Sequence, residues 1–138
     1  MPSHQLCVAP QVCQIARLIE WIASCCGAER LADDLTFKLT LAVEEAAANV
    51  IEHAFADLPP PHLIKVRLEI TDALVAAEII DNGRPFDPTA APDADLSLPL
   101  EQRDPGGLGV HLMRSVMDDV RYRRGDGQNI LRLEKARG

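Results

Sequence analysis

The chain holds no run of about 18 consecutive apolar residues, the least that a bilayer-spanning helix needs. Its first ten residues, MPSHQLCVAP, contain no basic stretch followed by an apolar core, so a secretory leader is not expected. Positive charge is scarce. The formal net charge is −7, which disfavours binding to a nucleic-acid backbone. Acidity does not exclude ATP, which backbone N–H groups and a metal can hold locally, and it suits basic protein partners. The densest basic cluster, Arg121, Arg123 and Arg124, reads as a solvated strand face. The four cysteines, Cys7, Cys13, Cys25 and Cys26, form no C-x-x-C pair, and no histidine follows at zinc-ligand spacing. Cys25 and Cys26 are adjacent and poorly placed for an ordinary disulfide. These absences point to a reduced, cytoplasmic protein bound neither to membrane nor directly to nucleic acid. No internal repeat is visible, and the regular alternation of strand and helix required by a parallel doubly wound sheet is missing.

What is present suffices for one core. Hydrophobic residues make up 47% of 138, the length of one ordinary domain, and the chain reads as a single domain over 1–138. Residues 3–8 suit a short edge strand before Pro10. Val12, Ile15, Ala16, Ile19, Ile22 and Ala23 follow helical spacing, predicting a helix from Gln11 to Cys26 with Gly27 as its stop. A second helix is expected from Asp33 or Asp34, either able to cap it, to about Phe55, with Pro59-Pro60-Pro61 ending any continuation. The period then changes. In LIKVRLEIT, residues 63–71, apolar and polar residues alternate as in a half-buried strand, and the more uniformly apolar LVAAEIID, residues 74–81, suits a more central one. Residues 84–107 carry Pro85, Pro88, Pro92, Pro99 and Pro105 and read as a long loop, with a lid at about 88–106. A helix from Leu108 to about Met117 follows, then strands near 119–124 and 129–134 joined by Gly125-Asp126-Gly127. The order predicts an α+β fold, a two-layer α/β sandwich with helices on one face of a mixed, mostly antiparallel sheet.

The helix LAVEEAAANVIEHAF, residues 41–55, is not plain core. With about 100° per residue, Val43, Ala46, Val50 and Ala54 lie near Leu39 and define the buried stripe, while Glu45, Asn49 and His53 line one edge of it. Glu44 falls on the far side, so a carboxylate acting with Asn49 is Glu45. An amide oxygen is a hard ligand apt for Mg²⁺, and a carboxylate one turn away can orient or deprotonate a hydroxyl. Taken alone, the pattern is more often that of a polar helix edge with a hydrogen-bonded histidine.

Two glycine-containing boxes follow. Asp81-Asn82-Gly83 ends a strand and is by itself a common turn; its carboxylate could accept a hydrogen bond from an exocyclic amine such as that of adenine, with Gly83 letting backbone approach a flat ring. Gly106-Gly107-Leu108-Gly109 precedes a helix and could present free N–H groups to an anion, or serve as a hinge. It does not fit the P-loop pattern, and it lacks the preceding strand of a Rossmann turn.

An E-x-x-x-N helix, D-x-G at a strand end, a lid and G-G-x-G opening a helix, in that order, resemble the GHKL ATPase superfamily of histidine-kinase-like ATPases. The short single-domain form is similar to the anti-sigma factor serine/threonine kinases. LAVEEAAANVIEHAF and DPGGLGVHLMRSVMD carry the likeness, which extends from about Val8 to Lys135. The resemblance implies the Bergerat ATP-binding fold, with ATP and Mg²⁺ as cofactors. It implies Asn49 as the Mg²⁺ ligand, Glu45 as general base for a serine hydroxyl, and Asp81, with Gly83 beside it, as the adenine-binding acid. It implies Gly106, Gly107, Leu108 and Gly109 under the phosphates. Arg103, the only basic side chain between Arg84 and Arg114, is placed to meet phosphate from the lid, and His53, which matches a His frequent in the subgroup, is assigned either packing or a supporting contact behind the ligands. The family's last box often reads Gly-Thr where this chain has Gly127-Gln128-Asn129, so a hydroxyl contact near the adenine is lost or replaced. Family members usually dimerise with help from an early strand, which makes a homodimer an expectation here.

The implied function is that of an ATP-dependent anti-sigma factor and serine-protein kinase in a partner switch, sequestering a sigma factor or other effector and phosphorylating a STAS-domain anti-anti-sigma protein on serine. The rival is a nucleotide-gated protein-binding module without kinase activity. A histidine-kinase catalytic fragment fits less well, because His4, His53, His62 and His111 all lack the following acid of a phosphoacceptor box.

Overall fold

Strict alternation in β2 (Ile64–Ile70) buries Ile64, Val66, Leu68 and Ile70 on one side and leaves Lys65, Arg67 and Glu69 on the other. In the computed structural model, which describes residues 3–90 and 105–137, this strand is the second of a five-stranded sheet. Its partners are β1 (Ser3–Val8), β3 (Leu74–Asp81), β4 (Asp119–Gly125) and β5 (Gln128–Ala136), in the spatial order β1-β2-β3-β5-β4. All four pairings are antiparallel, so the expected mixed character is absent. The sequence-adjacent hairpins β2–β3 and β4–β5 supply two pairings, and β5 docks beside β3 to join them.

The helices α1 (Gln14–Ala28), α2 (Asp33–His53) and α3 (Pro105–Val116) share one hydrophobic cluster with Val66, Leu68, Val75, Ala77, Ile79, Leu131 and Leu133 of the sheet. The two-layer α+β sandwich is therefore as expected. Leu18 and Ile22 of α1, Leu39 and Val43 of α2, and Met113 of α3 are almost wholly buried, each contributing roughly 1.5–3 kcal/mol of hydrophobic stabilisation.

Local chemistry moves several boundaries. α1 starts at Gln14, after a turn in which Gln14 N donates to Gln11 O, and it runs through Gly27. The chain reverses instead at Arg30, which adopts a left-handed φ of 56° while Leu31 N donates to Cys26 O. Neither Asp33 nor Asp34 caps α2. The capping position is Ala32, and both acids lie in the first turn, where the helix dipole favours them. α3 begins at Pro105 rather than Leu108, so Gly106 and Gly107 belong to its first turn. Pro is suited to the first helical position because no N–H is needed there. Of the expected lid, residues 88–90 form a short 3-10 turn and 91–104 lie outside the described residues. The β4–β5 turn is the pair Asp126-Gly127, both at positive φ, 53° and 74°, as a two-residue hairpin turn demands.

The sheet face away from the helices holds one charge that the sequence pattern concealed. Glu78, in the middle of β3, is buried and pairs with Arg67, and Arg132 Nη1 lies 3.5 Å from its Oε2. Arg132 also bonds Glu134 at 2.7 Å and Glu69 at 3.5 Å. Burial pushes the Glu78 carboxyl up, but Arg67 and then Arg132 outweigh it, and its pKa lies below the ordinary 4.5. A depressed carboxylate stabilises the fold fully above its unfolded pKa, and that stability is lost as pH falls through the folded value. Glu78→Gln is therefore expected to cost about 1–3 kcal/mol near neutral pH and to flatten the acid limb of the stability curve, both read by urea denaturation across pH.

Candidate nucleotide-binding site

The sheet-facing side of α2 is built mainly from small residues. Ala42, Ala46, Ala47 and Ala54 are all essentially buried, alternating with Leu39, Val43 and Val50. Small residues let the helix sit low on the sheet and bring the edge residues of α2 level with the end of β3. A cleft lies there, between α2 and the strand ends, lined by Asn49 and Val50 of α2, Asp81 of β3, Tyr122 of β4, Asn129 of β5, and Phe86 and Pro88 of the segment after β3.

The α2–α3 contact decides the first half of the site. Gly109 packs so closely that a side-chain Cβ there would stand 3.2 Å from Glu45 Oε2, 3.6 Å from Asn49 Nδ2 and 3.7 Å from Asn49 Oδ1. Glu45 and Asn49 thus converge on the first turns of α3, whose early backbone N–H groups have no intrahelical acceptor. Asn49 is 7% exposed and its Nδ2 has no hydrogen-bond partner. Leaving an amide donor unpaired costs about 1–3 kcal/mol, a cost that core packing alone does not require. Glu45 is half-buried, and desolvation, then the charge of Glu44, pushes its carboxyl above the ordinary 4.5. Such a carboxylate is a stronger base than an exposed one.

Asp81 supplies the second half. It is buried, and its Oδ1 accepts bonds from Gly83 N at 2.8 Å and Asn129 Nδ2 at 2.9 Å. Desolvation raises its pKa, against the lowering effects of Asn129, the Gly83 N–H and Arg124. Gly83 serves the helix end. A Cβ on it would lie 2.7 Å from Ala54 Cβ, and the next N–H, that of Arg84, donates to Ala54 O at 2.8 Å. This contact clamps the C-terminus of α2 to the end of β3, and so sets Asn49 relative to Asp81.

The remaining candidates divide plainly. Gly106, Gly107 and Leu108 lie in the first turn of α3, and Arg103 falls outside the described residues. The His53 ring packs against Phe86 with centroids 5.1 Å apart. Asn129, Tyr122 and Phe86 were not singled out by sequence reasoning. The only signal was that Gln128-Asn129 stands where the resembled family has a hydroxyl, because these contacts join residues distant along the chain.

The cleft volume is about 20 Å³, room for a single water, whereas ligand pockets are roughly 300–1,000 Å³. Phe86 and Pro88 are among the residues that line it. The donor set nonetheless suits a Mg²⁺-nucleotide. Among the described residues no group of three or more His, Cys, Asp or Glu is gathered as a metal cage. Mg²⁺ prefers such a setting, with one or two hard protein oxygens, and completes its shell with phosphate and water. The Asn49 amide, whose Nδ2 is unpartnered among the described residues, could turn its oxygen to serve as one of those protein oxygens.

Residues 8–135 match the family described as Histidine kinase-like ATPase domain. The chain belongs to that family. Over 113 residues it is 38% identical to the serine/threonine-protein kinase BtrW of Bordetella bronchiseptica, which covers 82% of this chain and 79% of the relative. It is 26% identical over 97 residues to the serine-protein kinase RsbW of Bacillus cereus, 67% of this chain and 59% of that one. The RsbU and RsbW domains of Rv1364c from Mycobacterium tuberculosis superpose with a TM-score of 0.69 over 99% of this chain and 33% of theirs; at 16% identity the likeness is one of fold. The resemblance drawn from the motifs, and the fold it implied, are borne out. As in the sequence reading, no helix among the described residues is long and apolar enough to cross a membrane.

Two glycines of this histidine kinase-like ATPase site, Gly83 and Gly109, differ in kind. Gly83→Ala meets backbone at Ala54 and should lose about 1–3 kcal/mol in denaturant unfolding. Gly109→Ala meets the flexible end of Glu45 and should lose less than half as much, while weakening nucleotide binding in calorimetry. Glu45 gives a further expectation. Its raised pKa means the ionised form costs stability as pH rises above 4.5, so Glu45→Gln should leave neutral-pH stability equal or higher, with the difference vanishing in acid.

Proposed function

We propose that this protein is an ATP-dependent serine/threonine-protein kinase of the partner-switching kind. In one state it sequesters a sigma factor or another effector, and in the other it phosphorylates a STAS-domain anti-anti-sigma protein on serine. Membership of the histidine kinase-like ATPase family and relatives named as serine-protein kinases support the reading. The observation that carries it is the convergence of Glu45 and Asn49 on Gly109, in line with a cleft that Asn49 shares with Asp81.

In this reading Asp81 Oδ2 accepts a hydrogen bond from the exocyclic amine of adenine, and the free backbone N–H groups of Gly106 and Gly107 donate to phosphate oxygens, with Leu108 and Gly109 on the same helix end beneath them. The Asn49 amide oxygen would hold Mg²⁺, which would supply positive charge against that developing on the transferring phosphoryl group. Glu45 accepts the proton of the serine hydroxyl as the new oxygen–phosphorus bond forms and the bond to the leaving diphosphate breaks. The partly buried position of Glu45 raises its basicity, and that position is costly in a protein that only binds. Arg103 contributes a cation to the phosphates. The protein works in the cytoplasm as a homodimer.

Asn49→Ala and Glu45→Ala are each expected to lower transfer of labelled γ-phosphate to a STAS-domain partner by about two orders of magnitude or more while thermal unfolding stays cooperative. Normal phosphorylation by either variant would remove that residue from its role. Mg-ATP binding by the wild type without any transfer would favour a binding module.

A further inference from the structure

Asn129 is the most fully bonded polar side chain at the cleft, and no role assigned above uses it. Its Nδ2 donates to Asp81 Oδ1 at 2.9 Å and to Arg84 O at 2.5 Å. Its Oδ1 accepts from the Tyr122 hydroxyl at 2.6 Å and from Phe86 N at 3.2 Å. These partners fix the amide without ambiguity, since a backbone N–H can only donate and a backbone carbonyl can only accept. Both donors and both acceptor sites of the amide are used, and the residue is 4% exposed. The side chain has nothing left with which to touch a ligand, so any effect on one passes through Asp81.

That effect is specific. Two N–H donors, from Gly83 and Asn129, converge on Asp81 Oδ1. Oδ2 has no hydrogen bond among the described residues and belongs to a side chain lining the cleft. With Oδ1 saturated by donors, the carboxylate cannot rotate without breaking both bonds, and Oδ2 is presented as a bare acceptor. An acceptor in this position favours an amine on the six-membered ring of a purine and repels a carbonyl.

We propose that Asn129 is a positioning residue that sets base selectivity, locking Asp81 so that 6-amino purines are taken and 6-oxo purines refused. The inference rests on the nucleotide-binding reading above and deepens it. Tyr122 is the support of the lock, because its hydroxyl and Phe86 N hold the amide oxygen away from Asp81. Without Tyr122 the amide has one acceptor contact fewer to oppose its turning over.

The test compares Mg-ATP with Mg-ITP, whose base replaces the 6-amino donor by a 6-oxo acceptor and carries a proton on N1, by calorimetric titration of the wild type, Asn129→Ala and Tyr122→Phe. The wild type should prefer ATP by about tenfold or more, the scale of one charge-assisted hydrogen bond. Asn129→Ala should cut that preference to about threefold or less, chiefly by weakening ATP while ITP changes little. Tyr122→Phe should move the ratio the same way by a smaller amount, and it keeps the test decisive if Asn129→Ala does not fold. A residue with only a structural role would weaken both nucleotides equally; an unchanged ATP-to-ITP ratio in folded variants overturns the proposal. Failure of the wild type to bind either nucleotide would instead remove the nucleotide-binding reading, and this inference with it.

Discussion

Everything at the cleft depends on how low α2 sits on the sheet. Ala42, Ala46, Ala47 and Ala54 give the helix a shallow underside, and the missing side chain of Gly83 lets Ala54 close onto the end of β3. A methyl group added at Gly83 would lift that end of α2. Asn49 lies just over one turn before Ala54, so its distance from Asp81 is set by the same contact. The second contact of this type is Gly109 against Glu45 and Asn49, which sets α3 relative to α2. Two glycines and a row of alanines thus convert ordinary helix-on-sheet packing into a fixed triangle of carboxylate, amide and carboxylate.

The treatment of buried polar groups differs between the two faces of the sheet. On the face away from the helices, Glu78 is buried but paired with Arg67 and Arg132, and its charge is favoured. At the cleft, burial dominates for Glu45 and Asp81, and Asn49 keeps an unpaired donor. The same chain therefore favours the charge of a buried carboxylate where it only has to fold, and lets burial raise the carboxyls of Glu45 and Asp81 at the cleft. A fold near marginal stability keeps uncompensated groups chiefly where ligand or chemistry supplies the missing partner.

The sequence made the architecture legible where periodicity carries physical information. The alternation of Ile64, Val66, Leu68 and Ile70 can only be a half-buried strand, and the stripe from Leu39 to Ala54 can only be a helix against a core. The edge position of Glu45 and Asn49 followed from the same geometry. Boundaries were less legible because several signals compete locally: Gly27 was a plausible stop, yet the chain reversed at Arg30, and Pro105 opened α3 three residues before the expected start. Least legible were contacts across the sheet. Glu78 sits within LVAAEIID and gives no hint that Arg67 and Arg132 will flank it. Asn129 meets Asp81 only because β5 docks on β3 in register, Asp81 opposite Asn129, a pairing between residues 48 apart.

The small cleft volume has an energetic meaning. Phe86 and Pro88 line the cleft beside Asp81, and their segment is tied down by polar contacts: Asn129 to Arg84 O and Phe86 N, Arg124 to Gly83 O at 2.8 Å, and Arg114 to Thr89 O at 2.9 Å. The ring of His53 against Phe86 adds one apolar contact. Each such hydrogen bond contributes roughly 0.5–1.5 kcal/mol net, so releasing part of the set costs a few kcal/mol and lowers nucleotide affinity by that amount. Asn129 serves two parts of the cleft, because it fixes the carboxylate of Asp81 and also holds the segment that carries Phe86. A ligand that engages Asp81 Oδ2 takes none of the bonds of Asn129, so the amide anchor, held by Tyr122 on its Oδ1, is not consumed when the ligand binds.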